Sequence, residues 1–202
     1  MKILCIGRNY VDHIEELGNE KPESPVIFLK PDTAILRDNA PFYHPDFSDD
    51  VHHEVEVLVK IKQQGKSIEP EFAHKYYDEI GLGIDFTARD LQTKFKTKGL
   101  PWDLAKGFNG SAPVSDFISK EGHNLKNLHF SLLKNGVEVQ KGDTALMLHP
   151  IDEIISYMSR FITLKVGDII FTGTPKGVSK VSIGDRLEGF LEGKKMFDFE
   201  VK

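Results

Sequence analysis

Hydrophobic and polar residues alternate through HHEVEVLVKI, His52 to Ile61, with the period of an extended strand. Val55, Val57, Val59 and Ile61 fall on one face, and His52, Glu54, Glu56, Leu58 and Lys60 on the other. Apolar runs also place strands at Lys2 to Ile6, at VIFLK stopping before Pro31, and at IGLGID reaching Asp85. HFSLLKNGVEVQ reads as a hairpin turning on Asn135 and Gly136, because Asn-Gly readily supplies the left-handed residues of a tight turn. Two Val/Ile-Gly-Asp turns, at 166–168 and 183–185, introduce further strands, and RLEGFLEGKKMFDFEV closes as a hairpin around Gly193. Helical signals are fewer. The pattern predicts a short helix capped by Asn9, with Asp12 three residues on, ending at Gly18. A second opens at TARD with Thr87 as cap and Asp90 closing a capping box, and a third covers Ile151 to Phe161. Strands outnumber helices, which favours an α+β, mainly β fold with a rolled or barrel-like sheet over a doubly wound one.

Length and charge narrow the function. The 202 residues, 40% hydrophobic, suit a single domain spanning 1–202. A net charge of −5 offers no basic footprint for phosphates, so nucleic acid is not the expected partner. No apolar run approaches the roughly 18 residues of a membrane span. The apolar start, Ile3 to Ile6, is cut by Gly7 and Arg8 before it makes a signal peptide, so the cytoplasm is the expected compartment. A lone Cys5 allows neither an internal disulfide nor a thiolate zinc site.

Glu54 and Glu56 sit about 6 to 7 Å apart on one strand face. A solvated face would explain them. Leu58 on the same face points to burial instead, and Asp85 ends another strand where sites gather. Carboxylates within about 4 Å repel by roughly 4 kcal/mol per pair at an effective dielectric of 20, and only a cation or a proton relieves that. All-oxygen ligation suits Mg²⁺, Mn²⁺ or Ca²⁺. His52 and His53 would suit zinc or iron, but HHEVE is not the helical H-E-x-x-H of zinc proteases. His13 and Glu16, three apart on a short helix, form either a solvated pair or a carboxylate orienting an imidazole base. The polar, proline-bearing stretch Asn19 to Pro25 follows them, so residues 9–25 read as a mobile lid. GLGIDF lacks the third glycine of a dinucleotide fingerprint, and GTPKG lacks the Gly-Lys-Ser/Thr end of a phosphate loop, although its N–H groups and Thr174 suit a carboxylate. Ser111, Ser115 and Ser131 show no nucleophile elbow.

The segments GRNYVDHIEEL, FLKP, HHEVEV, GIDFTARDLQ, GLPWDLAKGF and GDIIFTGTPKGV, in this order and over nearly the whole chain, resemble the fumarylacetoacetate hydrolase family. The length resembles its short branch, and PVSDF and GLPWDLAK are most similar to acylpyruvase and oxaloacetate decarboxylase members. The resemblance implies a mixed β-sandwich roll, usually a homodimer. It implies a divalent ion, Mg²⁺ with Mn²⁺ or Ca²⁺ as substitutes, on residues matching Glu54, Glu56 and Asp85, and a lid dyad matching His13 and Glu16. Residues meeting the substrate or its developing charge match Arg89, Gln92, Lys106, Thr174 and Lys30. The implied activity is cleavage of a carbon–carbon bond in a small 2-oxo acid, by 3-acylpyruvate hydrolysis or oxaloacetate decarboxylation, through a metal-stabilised pyruvate enolate. Isomerisation or hydration of a hydroxymuconate-type or other 2-oxo acid is the alternative within the family. A non-catalytic protein with structural Ca²⁺ is the alternative outside it. Ser179 in GVSKV and the stretch DTALMLHP depart from the common family pattern.

Overall fold

The computed structural model describes residues 1–16, 18 and 22–202, so part of the expected lid, 17 and 19–21, lies outside the described residues. The chain runs β1 (Ile3–Ile6), α1 (Val11–Glu16), β2 (Ile27–Lys30), β3 (Ile35–Leu36), β4 (Val51–His53), β5 (Val55–Ile61), α2 (Pro70–Ala73) and β6 (Tyr77–Ile84). It continues through β7 (Thr87–Ala88), α3 (Arg89–Lys98), α4 (Asp103–Lys106), β8 (Ala112–Pro113), β9 (Ile118–Ser119), β10 (His129–Lys134) and β11 (Val137–Asp143). Then come α5 (Ile151–Phe161), β12 (Ile169–Phe171), β13 (Ser179–Lys180), β14 (Arg186–Leu191) and β15 (Lys194–Glu200).

The largest sheet has the order β2-β1-β12-β5-β6-β9, with β1 parallel to β12 and every other pair antiparallel. A four-stranded antiparallel sheet, β11-β10-β14-β15, stands apart from it. Between them lies the main core, with Val57, Val59, Leu82 and Ile170 from the large sheet, Phe130, Leu132, Leu187 and Phe197 from the smaller one, and Ile154, Ile155 and Met158 from α5. Burying each such side chain contributes about 1.5–3 kcal/mol. The opposite face of the large sheet carries a second apolar cluster of Ile3, Cys5, Leu58, Ile169 and Phe171. Both faces of β5 are therefore inside, and the alternation from Val55 to Ile61 divides between two interiors. The mainly β, sandwich-like expectation holds, but the sheets are open. β9 is two residues long and pairs only at Glu79 and Ile80, so the large sheet ends there instead of closing into a barrel.

Several local features differ from the sequence pattern. His52 to Ile61 is not one strand: it breaks at Glu54, because β4 pairs with β13 and β7 while β5 pairs with β12 and β6. Asn9 does not cap α1; its side-chain amide donates to the carbonyls of His149 and Thr172, and its oxygen accepts the His149 N–H. Thr87 does not cap α3, since it is a strand residue paired with His52 and its hydroxyl faces the interior. Asp90 accepts from Ser48 Oγ instead of closing a capping box. The hairpin turns form as expected, with Asn135 and Gly136, and then Glu192 and Gly193, all at positive φ.

Candidate metal centre

Three positions in or next to strands converge. Glu54 stands at the β4–β5 break, Glu56 two residues on, and Asp85 at the end of β6, where its N–H bonds the Glu54 carbonyl at 2.8 Å. One carboxylate oxygen from each lies within 4.8 Å of the others, and all three residues are buried.

Positive groups grip two of the three. Lys106, from α4, donates to Glu54 Oε2 at 2.9 Å, Asp85 Oδ2 at 2.7 Å and Thr87 Oγ1 at 2.6 Å, and lies 4.9 Å from the centre of the Phe28 ring. Arg89 pairs with the other Glu54 oxygen and donates to Gln92 Oε1 at 2.6 Å. Lys30 lies 2.7 Å from Asp85 Oδ1, yet its donated bonds run to the carbonyls of Phe86, Lys106 and Ser111 and to Ser111 Oγ. Asp85 Oδ1 is thus buried beside a charge but accepts no hydrogen bond.

Glu56 stands differently. It accepts the Gly173 N–H at 2.7 Å and has no ion-pair partner among the described residues. Burial and the neighbouring Asp85 charge push its carboxyl well above the usual range. Burial acts the same way on Glu54, but Lys106, Arg89 and His13 overcome it and hold Glu54 below that range. Lys106 is likewise opposed by burial, and Asp85 and Glu54 outweigh that to raise its pKa. Three clustered acids, one short of positive charge and one with an oxygen that is ion-paired to Lys30 but accepts no hydrogen bond, fit a hard divalent cation on all-oxygen ligands.

His13 lies buried on α1, with Nδ1 3.3 Å from Glu16 Oε2. Burial lowers its pKa, while the Glu54 charge and the Glu16 hydrogen bond pull upward, which sets His13 electrostatically beside the carboxylates. Glu16 also accepts the Gly177 N–H, and Asp12 pairs with Lys176 at 2.8 Å. The N–H groups of GTPKG do hold carboxylates, those of Glu56 and Glu16. Thr174 donates its hydroxyl to the Val55 carbonyl at 2.9 Å. Lys30 and Thr174 are both spent on protein oxygens, as is Lys106, and Gln92 is buried; of the five expected substrate contacts only Arg89 is partly exposed. The histidines of HHEVE are committed elsewhere: His52 to Asp50, and His53 to Gln140 and Ser179. Burial pushes His53 down to about 4. The sequence pattern missed Ser111, Thr87 as a partner of Lys106, and Gln140, which bonds four groups behind the site.

The model of the fumarylacetoacetate hydrolase C-terminal family matches residues 2–199, and the chain belongs to that family. It is 42% identical over 99% of its length to the mitochondrial oxaloacetate tautomerase FAHD1 of Bos taurus, of which the match covers 91%. It is 41% identical over 96% of its length to the oxaloacetate tautomerase YcgM of Escherichia coli, covering 90% of that protein. Among solved structures, a fumarylpyruvate hydrolase from Pseudomonas aeruginosa in complex with Mn²⁺ and pyruvate superposes with a TM-score of 0.94 at 32% identity, covering all of this chain and 89% of the other.

Proposed function

We propose that this protein is a divalent-metal-dependent enzyme of small 2-oxo acids, and that its first reaction is keto–enol interconversion of oxaloacetate. The observation that carries the reading is the buried trio Glu54, Glu56 and Asp85 with Lys106 between two of its members. Similarity to oxaloacetate tautomerases over nearly the whole chain supports it. Glu54, Glu56 and Asp85 would hold Mg²⁺ or Mn²⁺, which when bound supplies Lewis acidity to the carboxylate and keto oxygens of the 2-oxo acid and so lowers the energy of its enolate.

The chain's own groups do the rest. Glu16 accepts from His13 Nδ1, which leaves Nε2 unprotonated as the base that takes the proton from the carbon beside the keto group. Lys106, kept charged by Asp85 and Glu54, stands at the developing negative charge. Arg89 and Gln92 would receive the substrate carboxylate. α1 serves as the lid, latched by Asp12 to Lys176 and by Glu16 to Gly177.

Carbon–carbon cleavage is the second reading, favoured by the His13–Glu16 pair beside the carboxylates. His13 would then take a proton from water attacking the distal carbonyl of a 3-acylpyruvate, releasing a carboxylic acid and pyruvate. Loss of carbon dioxide from oxaloacetate needs no attacking water. The test is a panel of oxaloacetate, acetylpyruvate and fumarylpyruvate with and without Mg²⁺ or Mn²⁺, reading the enol by absorbance and pyruvate by a coupled assay. Metal-dependent turnover of oxaloacetate is expected; turnover that survives complete chelation contradicts the proposal.

A further inference from the structure

Gln140 lies on the hairpin strand β11, where simple alternation puts it on the face of Glu138, away from Val137 and Val139. The β10–β11 register shifts at this point: Leu133 opposes Glu138 but Leu132 opposes Gln140, so Val139 is an extra, bulged residue. The bulge turns Gln140 inward, where it is 2% exposed.

We propose that Gln140 is a positioning residue that fixes the backbone of residues 173–177, and through it both the third carboxylate of the metal centre and the base on α1. Gln140 Nε2 donates to Thr174 Oγ1 and to the Pro175 carbonyl, each at 2.9 Å. Its Oε1 accepts the Val55 N–H at 3.0 Å and His53 Nδ1 at 2.8 Å. Two donated and two accepted bonds exhaust the amide. Because Oε1 already accepts from Val55, His53 donates from Nδ1, and its Nε2 accepts from Ser179 Oγ at 2.8 Å. Gln140 is therefore oriented from behind as well as in front.

The held loop carries two N–H groups that matter. Gly173 presents its N–H to Glu56, and Gly177 presents its own to Glu16. The loop is confined on both sides, since a Cβ on Gly173 would lie 2.5 Å from Asn9 Cβ and one on Gly177 would lie 2.2 Å from the Val139 carbonyl oxygen. Both glycines also adopt positive φ, +101° and +97°. One side chain thus stands behind the groups that set a metal ligand and the catalytic imidazole.

This rests on the metal-centre reading above, and its test separates the two. Gln140→Met keeps the length and removes all four bonds. Its Mn²⁺ dissociation constant, measured by calorimetry, should rise about tenfold or more, as expected for an outer partner of a metal ligand, with kcat falling alongside. Gln140→Glu keeps an acceptor toward Val55 but loses both donated bonds, and should weaken Mn²⁺ in the same direction. Ile155→Val in α5, a core change lowering Tm without touching the loop, should leave the Mn²⁺ constant unchanged. If Gln140→Met does not fold, Ser179→Ala breaks the outer link alone and should give a smaller rise. Wild-type Mn²⁺ affinity in the folded Gln140 variants, or in Ser179→Ala where those do not fold, overturns the proposal while leaving the metal centre standing. A wild-type chain that binds no Mn²⁺ overturns both.

Discussion

Glu54 and Asp85 are buried and gripped by Lys106, Lys30 and Arg89, whereas α1, which carries His13 and Glu16, is six residues long and meets the 173–177 loop through an exposed ion pair and one carboxylate. The first region has its charges compensated at short range in a low dielectric, where removing one partner strands another. The second buries His13 and Ile14, but its ion pair with the loop is exposed and contributes little. Under the proposed function, the ion-binding oxygens stay in place while the helix bearing the base acts as the lid over them.

The largest expected effect comes from breaking the rigid half. Glu54→Ala or Asp85→Ala should abolish Mn²⁺ binding in calorimetry and turnover in the substrate panel. Each also leaves Lys106 with one buried counter-charge of two, while relieving repulsion within the trio, so stability in urea should change far less than ion binding. A variant that keeps both ion and activity would remove the contrast between the two regions.

His13→Ala addresses the other half. Tautomerisation and acylpyruvate hydrolysis should fall by roughly 10²–10⁴-fold, with Mn²⁺ affinity and oxaloacetate decarboxylation far less affected. Equal losses in all three reactions would mean that His13 is not the base.

A smaller effect should appear in the pH profile. Burial lowers the His13 pKa below 6.5, and the protonated ring cannot accept a proton. Hydrolysis should therefore rise with pH along an acid limb centred below 6.5 and lie on its plateau at neutrality. Glu16 opposes burial by favouring the charged ring, so Glu16→Gln should move that limb to still lower pH while reducing the plateau rate. A limb moving upward would contradict the assignment of the pair. The smallest effect belongs to Asp12→Asn, which removes the exposed contact to Lys176. It should change kcat/KM by about twofold or less, and added salt should mimic it in the wild type.

How much of this could be read in advance depends on which residues obey a period. The alternation from His52 to Ile61 put Glu54 and Glu56 on one face but fitted a solvated face as well as a buried one, and it was Leu58 among them that pointed to an interior. Asp85 was marked by the end of an apolar strand. The break at Glu54 was not visible, because pairing with two different sheets leaves no mark in hydrophobicity. Thr87 carried a cap signal that tertiary packing overrode: its hydroxyl receives Lys106. The lysines that compensate the centre sit at a strand end and in a short helix, where no pattern distinguishes them from surface charge, and only family resemblance pointed to them. Gln140 was hidden most completely, since a single bulged residue, Val139, reverses the face that alternation assigns.

On the proposed function, Glu54, Glu56 and Asp85 share one divalent ion. Anomalous diffraction at the manganese edge from crystals equilibrated with Mn²⁺ tests it most directly. One peak per chain is expected, within coordination distance of all three carboxylates; a peak elsewhere, or none at saturating Mn²⁺, would rule out a shared ion.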